Sequence, residues 1–196
     1  QASLLEPALY QVVHAAVAAG RLAAATNAVE RLLSRFPEGY HTAPAVLVAG
    51  QEVARHGVPA GARELLAGFA ARATNATLLP QVQLAIARTY EQEGNWAKAI
   101  TQYQALLSKC TDAAARPLAE FYCAQATWRA GDLTNALKLY TQFVADYPTN
   151  SFAPTAQFWV GDYYFNQRNF GAAEMSYQKL GENTNWQGSE LVNRAW

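Results

Sequence analysis

Apolar residues recur along the chain in paired segments, each with the three-to-four-residue spacing of a helix that has one buried face. The first kind of segment is QVQLAIARTYEQEG, whose apolar positions are Leu84, Ile86, Ala87 and Tyr90. The second kind follows the glycine, as in NWAKAITQYQALLSK, with Trp96, Ile100, Tyr103 and Leu107 along one side. Because glycine readily closes the carboxyl end of a helix, the pattern predicts two helices joined by a tight turn.

This turn recurs at a fixed period. Gly20, Gly57, Gly94 and Gly131 are each 37 residues apart, and the next step falls on Arg168. Five residues after each turn position lies an alanine: Ala25, Ala62, Ala99, Ala136 and Ala173. Four residues further lie Val29, Leu66, Tyr103, Tyr140 and Tyr177, and seven before each turn lie Val13, Gly50, Ala87, Ala124 and Gly161. These columns predict five repeat units, at residues 6–42, 43–79, 80–116, 117–153 and 154–190, with the start of a sixth at 191.

The small residues and the prolines agree with two helices per unit. Small side chains on both helices, such as Ala124 and Ala136, let the helix axes approach closely, with a tyrosine or leucine filling the adjacent space. Proline is tolerated in the first turn of a helix, where its missing N–H costs nothing. One proline lies at that place in each predicted first helix: Pro7, Pro44, Pro80, Pro117 and Pro154.

The succession of small residue, glycine turn, alanine and tyrosine resembles the tetratricopeptide repeat (TPR) family. The units at 80–116, 117–153 and 154–190 carry it most fully, and Pro148 in FVADYP matches the proline that closes the family's repeat. The resemblance implies an all-α fold, a right-handed α-solenoid of helix-turn-helix repeats. The family's usual period is about 34 residues, and the extra residues here fall in the links between units. The first two units keep the spacing but lack the aromatic residue.

The lengthened links, and the stretch at 143–180 above all, resemble the repeats of bacterial cell-envelope proteins. These are the lipoproteins that assist outer-membrane protein assembly and the Tol-associated coordinators of cell division. The resemblance implies a periplasmic or envelope-associated location.

Composition narrows the classes of function. The 196 residues carry 15 Lys+Arg and 15 Asp+Glu, and this neutrality argues against nucleic acid as a partner. No stretch approaches the roughly 18 uncharged apolar residues of a membrane span, so we expect no direct insertion into a membrane. The sequence begins with Gln1, and its single methionine is Met175. Because an initiator methionine is missing, we expect an excerpt of a longer protein, with any export signal or lipid anchor outside it.

Catalytic and metal-binding patterns are missing from the sequence. His14, His41 and His56 fall in separate units or links and have no metal-ligand spacing. We therefore predict no enzyme activity, no cofactor and no metal. Cys123 occupies a core-facing helix position and Cys110 ends the preceding helix; the sequence leaves open whether they are bonded.

The predicted site is a groove for a protein or peptide ligand. In the TPR family the first helices line a concave side, and transferring that register places an aromatic and arginine-rich set in the groove. The set consists of Arg88, Phe121, Tyr122, Gln125, Trp128, Arg129, Phe158, Trp159, Asp162 and Phe165. Aromatic residues and arginine dominate binding hot spots. A second interpretation stays open, in which the aromatic residues fill the core and Tyr122 and Trp159 pack between units.

The function predicted from these observations is a non-catalytic protein- or peptide-binding scaffold that acts in the assembly of a larger complex. Two alternatives stay open. The chain could be the accessory repeat region of a larger enzyme or sensor, or a structural module that self-associates.

Overall fold

The computed structural model describes residues 4–72, 77–110 and 114–194, and within these ranges the regular structure is entirely helical. In chain order the helices are α1 (Leu5–Ala18), α2 (Leu22–Arg35), α3 (Thr42–Arg55), α4 (Pro59–Arg72), α5 (Leu79–Gln92), α6 (Trp96–Leu107), α7 (Ala115–Arg129), α8 (Leu133–Asp146), α9 (Ala153–Asn166), α10 (Phe170–Glu182) and α11 (Glu190–Arg194). A short 3₁₀ turn, Thr184–Trp186, lies between the last two. The predicted all-α repeat fold is confirmed.

The helices come in pairs with the predicted period. First helices begin at residues 5, 42, 79, 115 and 153, so successive starts are 37, 37, 36 and 38 residues apart. The predicted prolines lie in the first turn of these helices, and Pro59 is the first residue of α4. The short helix α11 lies where the start of a sixth unit is predicted.

The turn within each pair uses a left-handed residue. Gly20, Gly57, Gly94 and Gly131 have φ between 67° and 89°, a region that glycine adopts without steric cost. Arg168 takes the same place in the last pair with a φ of 58°. The five turns therefore share one backbone conformation although one of them lacks glycine.

Side-chain caps fix where three of the second helices begin. Asn95, Asp132 and Asn169 each accept a hydrogen bond from the backbone N–H three residues on, at 3.1 to 3.3 Å. Such a cap satisfies one of the free N–H groups of the first turn. The residue directly after the left-handed position thus starts the helix in these pairs.

The chain divides into two compact units, residues 1–110 and residues 111–196. The core of unit 1 is mainly aliphatic, with Phe69 as an aromatic member, and its fully buried side chains include Val13, Val29, Leu32, Val46, Leu66 and Val82. Gly50 makes room for it, since a Cβ there would lie 3.0 Å from Cγ of Leu66. The prediction of a single continuous array across both units stays a prediction.

The core of unit 2 is rich in aromatic residues. Phe121, Tyr140, Phe143 and Trp186 are all buried in it. The indole Nε1 of Trp186 donates a hydrogen bond of 2.7 Å to the carbonyl of Pro148, which ties the 3₁₀ turn to the link before α9. Unit 2 carries nine of the ten predicted site residues, and its core decides which of them stay accessible.

Candidate functional site

Arg88 is the one predicted site residue in unit 1. It is exposed on α5 and lines a concavity of about 410 Å³ together with Leu47, Gln51 and Leu84 from α3 and α5. The walls of the concavity combine apolar side chains with the amide groups of Gln51 and Gln81 and the guanidinium of Arg88. Unit 1 therefore has a small concavity of mixed polarity between α3 and α5.

Phe121 does not lie on an accessible surface. Its side chain is 3% exposed, its ring stacks on Phe152 with centroids 4.5 Å apart, and Phe143 lies 5.6 Å away. The link before α9 supplies Phe152 and covers the ring. The expected place of Phe121 in a groove is thus corrected, since this residue belongs to the core.

Two further predicted residues pack largely against that core. Tyr122 is half-buried, with its ring edge-on to Phe121 at 5.7 Å. Phe158 is also half-buried and lies 5.6 Å from the ring of Tyr177. Both present only part of their surface to solvent, and they pack against the core of unit 2 as Trp128 and Trp159 also do.

A partly exposed aromatic group, here named the tryptophan cluster, consists of Trp128 and Arg129 on α7 with Trp159 and Tyr163 on α9. The rings of Trp128 and Trp159 meet edge to face at 6.1 Å, and Trp159 stacks on Tyr163 at 5.7 Å. The guanidinium carbon of Arg129 lies 4.6 Å from the centroid of the Trp128 ring. The ring of Trp159 also packs against the buried ring of Tyr140, with the ring centroids 4.7 Å apart. The rings are therefore held in fixed positions while one side of the cluster meets solvent.

Several polar atoms of the cluster have no hydrogen-bond partner among the residues that the structure describes. Within the described residues, the indole nitrogens of Trp128 and Trp159 and the hydroxyl of Tyr163 make no hydrogen bond. None of the three lies among the buried polar atoms that lack a partner. The cluster thus presents hydrogen-bond donors beside ring surfaces, at positions fixed by packing.

Tyr163 is a residue that the sequence interpretation missed. It lies four residues after Trp159, and side chains at that spacing are neighbours on a helix. Its spacing from Trp159 is therefore the signal in the sequence that could have identified it.

Asp162 and Gln125 are the two polar residues of the predicted set that are not arginines. The Asp162 carboxylate accepts a hydrogen bond of 2.6 Å from the hydroxyl of Tyr177 on α10. Burial and the neighbouring carboxylate both raise the pKa of Tyr177 well above its usual range. Gln125 is half-buried on α7. Asp162 therefore holds two helices together, and its Oδ1 is already occupied.

Phe165 is the most exposed of the predicted aromatic residues, at 55%. It touches Phe170, at the start of α10, edge to face at 5.5 Å. Phe170 is itself 58% exposed and was not predicted. This pair lies at the turn between α9 and α10, and both rings remain more than half exposed.

Other chemistry in the chain is sparse. Over the described ranges, no group of three or more His, Cys, Asp or Glu side chains is arranged to hold a metal ion. Cys110 and Cys123 are both buried and are not joined by a disulfide. Among the described helices none has the length and apolarity needed to cross a bilayer.

Known protein families and structures provide an independent comparison. The family described as a tetratricopeptide repeat-like domain matches residues 60–194 of this chain. No curated protein sequence matches it closely enough to count as a relative.

Several solved structures share the fold. BtubC from P. vanneervenii superposes with a TM-score of 0.71 at 12% identity, over 93% of this chain and 80% of that one. The MamA protein gives a TM-score of 0.68 at 16% identity, over 92% of each chain. Pseudomonas aeruginosa PilF gives 0.68 at 12% identity, over 99% of this chain and 78% of the other. At these identities the likeness concerns the helical repeat fold alone.

Proposed function

Since this chain belongs to the tetratricopeptide repeat-like family, we propose that it is a non-catalytic scaffold that binds a protein or peptide segment during the assembly of a larger complex. The TPR-like repeat fold is typical of protein–protein interaction scaffolds and generally binds protein or peptide partners. A solenoid of neighbouring contacts presents extended surface rather than a deep catalytic pocket.

The tryptophan cluster is the observation that supports this proposal most directly. Tryptophan, tyrosine and arginine are the residue types that dominate binding hot spots. Here Trp128 and Trp159 are partly exposed yet held by neighbours, so little side-chain entropy would be lost when a partner covers them. Arg129 extends the cluster with an exposed guanidinium that can pair with a carboxylate.

The proposed site therefore comprises the tryptophan cluster, together with the exposed Phe165 further along α9. Arg88 and its concavity form a further contact region on unit 1. Phe121 is not included, because its ring is sealed in the core.

A displayed library of random peptides, selected on the purified chain, tests the proposal. We expect enriched peptides whose affinity falls by about tenfold or more for Arg129→Ala and Trp128→Ala, since hot-spot truncations cost about 2 kcal/mol. Arg129 is exposed, so Arg129→Ala is expected to leave the melting temperature unchanged. Leu139→Ala is the matched control, because Leu139 is an exposed apolar residue of α8 outside the cluster.

Two outcomes would contradict the proposal. One is a selection that enriches no peptide. The other is a set of enriched peptides that bind all four proteins, wild type and the three variants, equally well.

For location, we propose the bacterial cell envelope on the periplasmic side. The supports are the resemblance of residues 143–180 to envelope repeats and the fold likeness to PilF. Fractionation of the full-length protein in its native host tests this proposal, and recovery in the cytosolic fraction alone would contradict it.

A further inference from the structure

The tryptophan cluster carries hydrogen-bond donors and almost no acceptors. An indole N–H and a guanidinium can only donate, and a tyrosine hydroxyl can do both. The two indole nitrogens and the Tyr163 hydroxyl are unused within the described part of the chain. The nearest acid along α9, Asp162, is hydrogen-bonded to Tyr177. A ligand that fits this surface must therefore bring acceptors and few donors of its own.

Few biological chains meet that description. A helical segment has satisfied its backbone groups internally, and an extended strand presents N–H groups as often as carbonyls. A glycan presents hydroxyl groups that donate as well as accept. A proline-rich segment differs from all of these, because proline has no N–H and the polyproline II helix leaves its carbonyls without internal partners.

The ring surfaces of the cluster agree with the same ligand. Polyproline II segments dock on aromatic surfaces, where the pyrrolidine rings pack against the aromatic faces. Trp159 stacks on Tyr163 at an interplanar angle of 27°, while Trp128 stands at 71° to Trp159. The cluster thus combines two nearly parallel rings with a third that stands across them, and Arg129 adds a positive charge beside that third ring.

Building on the proposed function, we infer that the partner segment is proline-rich, in the polyproline II conformation, with an acidic residue next to its prolines. The carbonyls accept from the indole nitrogens and from Tyr163, the prolines cover the ring faces, and the acidic residue pairs with Arg129. Specificity rests on the absence of N–H donors in the ligand as much as on its apolar rings.

Four synthetic probes of equal length test this inference by titration. They are an oligoproline with a flanking aspartate, the same peptide with a flanking lysine, an alanine-based helical peptide, and a linear oligosaccharide. We expect the first to bind and the second to bind more weakly. The helical peptide and the oligosaccharide are expected not to bind.

Conservative variants identify the donors. Trp128→Phe and Tyr163→Phe keep a ring but remove one donor, and each is expected to weaken the first probe by about three- to tenfold. Tyr40→Phe is the matched control, since it removes the hydroxyl of an exposed tyrosine of unit 1 that is not part of the cluster, and it is expected to bind as the wild type does.

The outcomes separate this inference from the proposed function. If the random library yields cluster-dependent peptides while the oligoproline fails to bind, the scaffold proposal stands and the proline-rich partner is wrong. Binding of the oligosaccharide or the helical peptide in place of the oligoproline overturns it as well. Equal affinity for Trp128→Phe, Tyr163→Phe and the wild type overturns the donor argument. If neither library nor probes bind, both proposals fail.

Discussion

Tyr177 donates its hydroxyl proton to Oδ1 of Asp162 across 2.6 Å and so joins the second helix of the last pair to the first. Both side chains are half-buried, and a charge-assisted bond in such surroundings is stronger than a neutral one in water. The residue before Asp162 is Gly161, and the ring of Tyr177 lies against it. The contact between α9 and α10 therefore depends on the hydrogen bond to Asp162 and on the absence of a side chain at Gly161.

Removing the hydroxyl tests the hydrogen bond. Tyr177→Phe leaves the Asp162 carboxylate without this partner and is expected to lower the free energy of unfolding by about 1–3 kcal/mol. Asp162→Asn keeps an acceptor at nearly the same place and is expected to cost less. Urea denaturation followed by circular dichroism measures both, and equal stability of Tyr177→Phe and the wild type would contradict the role given to this bond.

Adding a methyl group tests the missing side chain. In Gly161→Ala the new Cβ would collide with the Tyr177 ring, and such overpacking costs about 1–3 kcal/mol. Gly171→Ala is the matched control on α10, where a Cβ meets nothing within 4 Å, and the helix should gain about 0.5 kcal/mol. Thermal unfolding would refute the prediction if both variants shifted the melting temperature in the same direction.

Glu91 makes the stability of unit 1 depend on pH. Desolvation by burial raises its pKa above the ordinary value of 4.5, while the Tyr103 hydroxyl and Arg88 oppose the shift. At neutral pH the carboxylate is charged in both states, so its burial destabilises the fold. As pH falls through the raised pKa towards 4.5, the folded protein takes up the proton first and gains stability relative to the unfolded chain.

Glu91→Gln removes this dependence. The variant is expected to be more stable than the wild type at neutral pH, with a difference that shrinks as pH approaches 4.5. Glu93→Gln is the opposite control, because the hydrogen bond from Arg63 lowers the pKa of Glu93. That variant should be less stable at neutral pH, and its deficit should disappear only below 4.5. A stability difference for Glu91→Gln that does not change with pH would contradict the assignment.

The helix pairs could be predicted from the sequence because local chemistry determines them. A left-handed residue must end each first helix, and glycine adopts that conformation without cost. The cap residues Asn95, Asp132 and Asn169 follow directly. Each signal lies within a few residues of the structure it specifies, so a period of 37 was enough to locate every pair.

The accessible site could be predicted only in part, because exposure depends on distant segments. Phe121 and Trp128 lie seven residues apart on α7, and two helical turns place them on nearly the same face. Phe121 is nevertheless buried under Phe152, while Trp128 packs against the same core but keeps part of its surface exposed beside Trp159 and Arg129. Periodicity gives the direction of a side chain, but the path of the link that carries Phe152 has no periodic signal.

Arg168 has the left-handed backbone conformation that the other four turns assign to glycine. Its φ of 58° costs an L-residue about 1–2 kcal/mol, partly offset by the entropy that glycine loses on folding. Arg168→Gly is therefore expected to stabilise the protein by about 0.5–1 kcal/mol. Gly131→Ala is the reciprocal change, since a Cβ at Gly131 meets no atom within 4 Å and only its φ of 89° opposes the substitution. Chemical denaturation should show opposite signs for the two variants, and a destabilised Arg168→Gly would mean that the arginine side chain contributes more than its backbone strain costs.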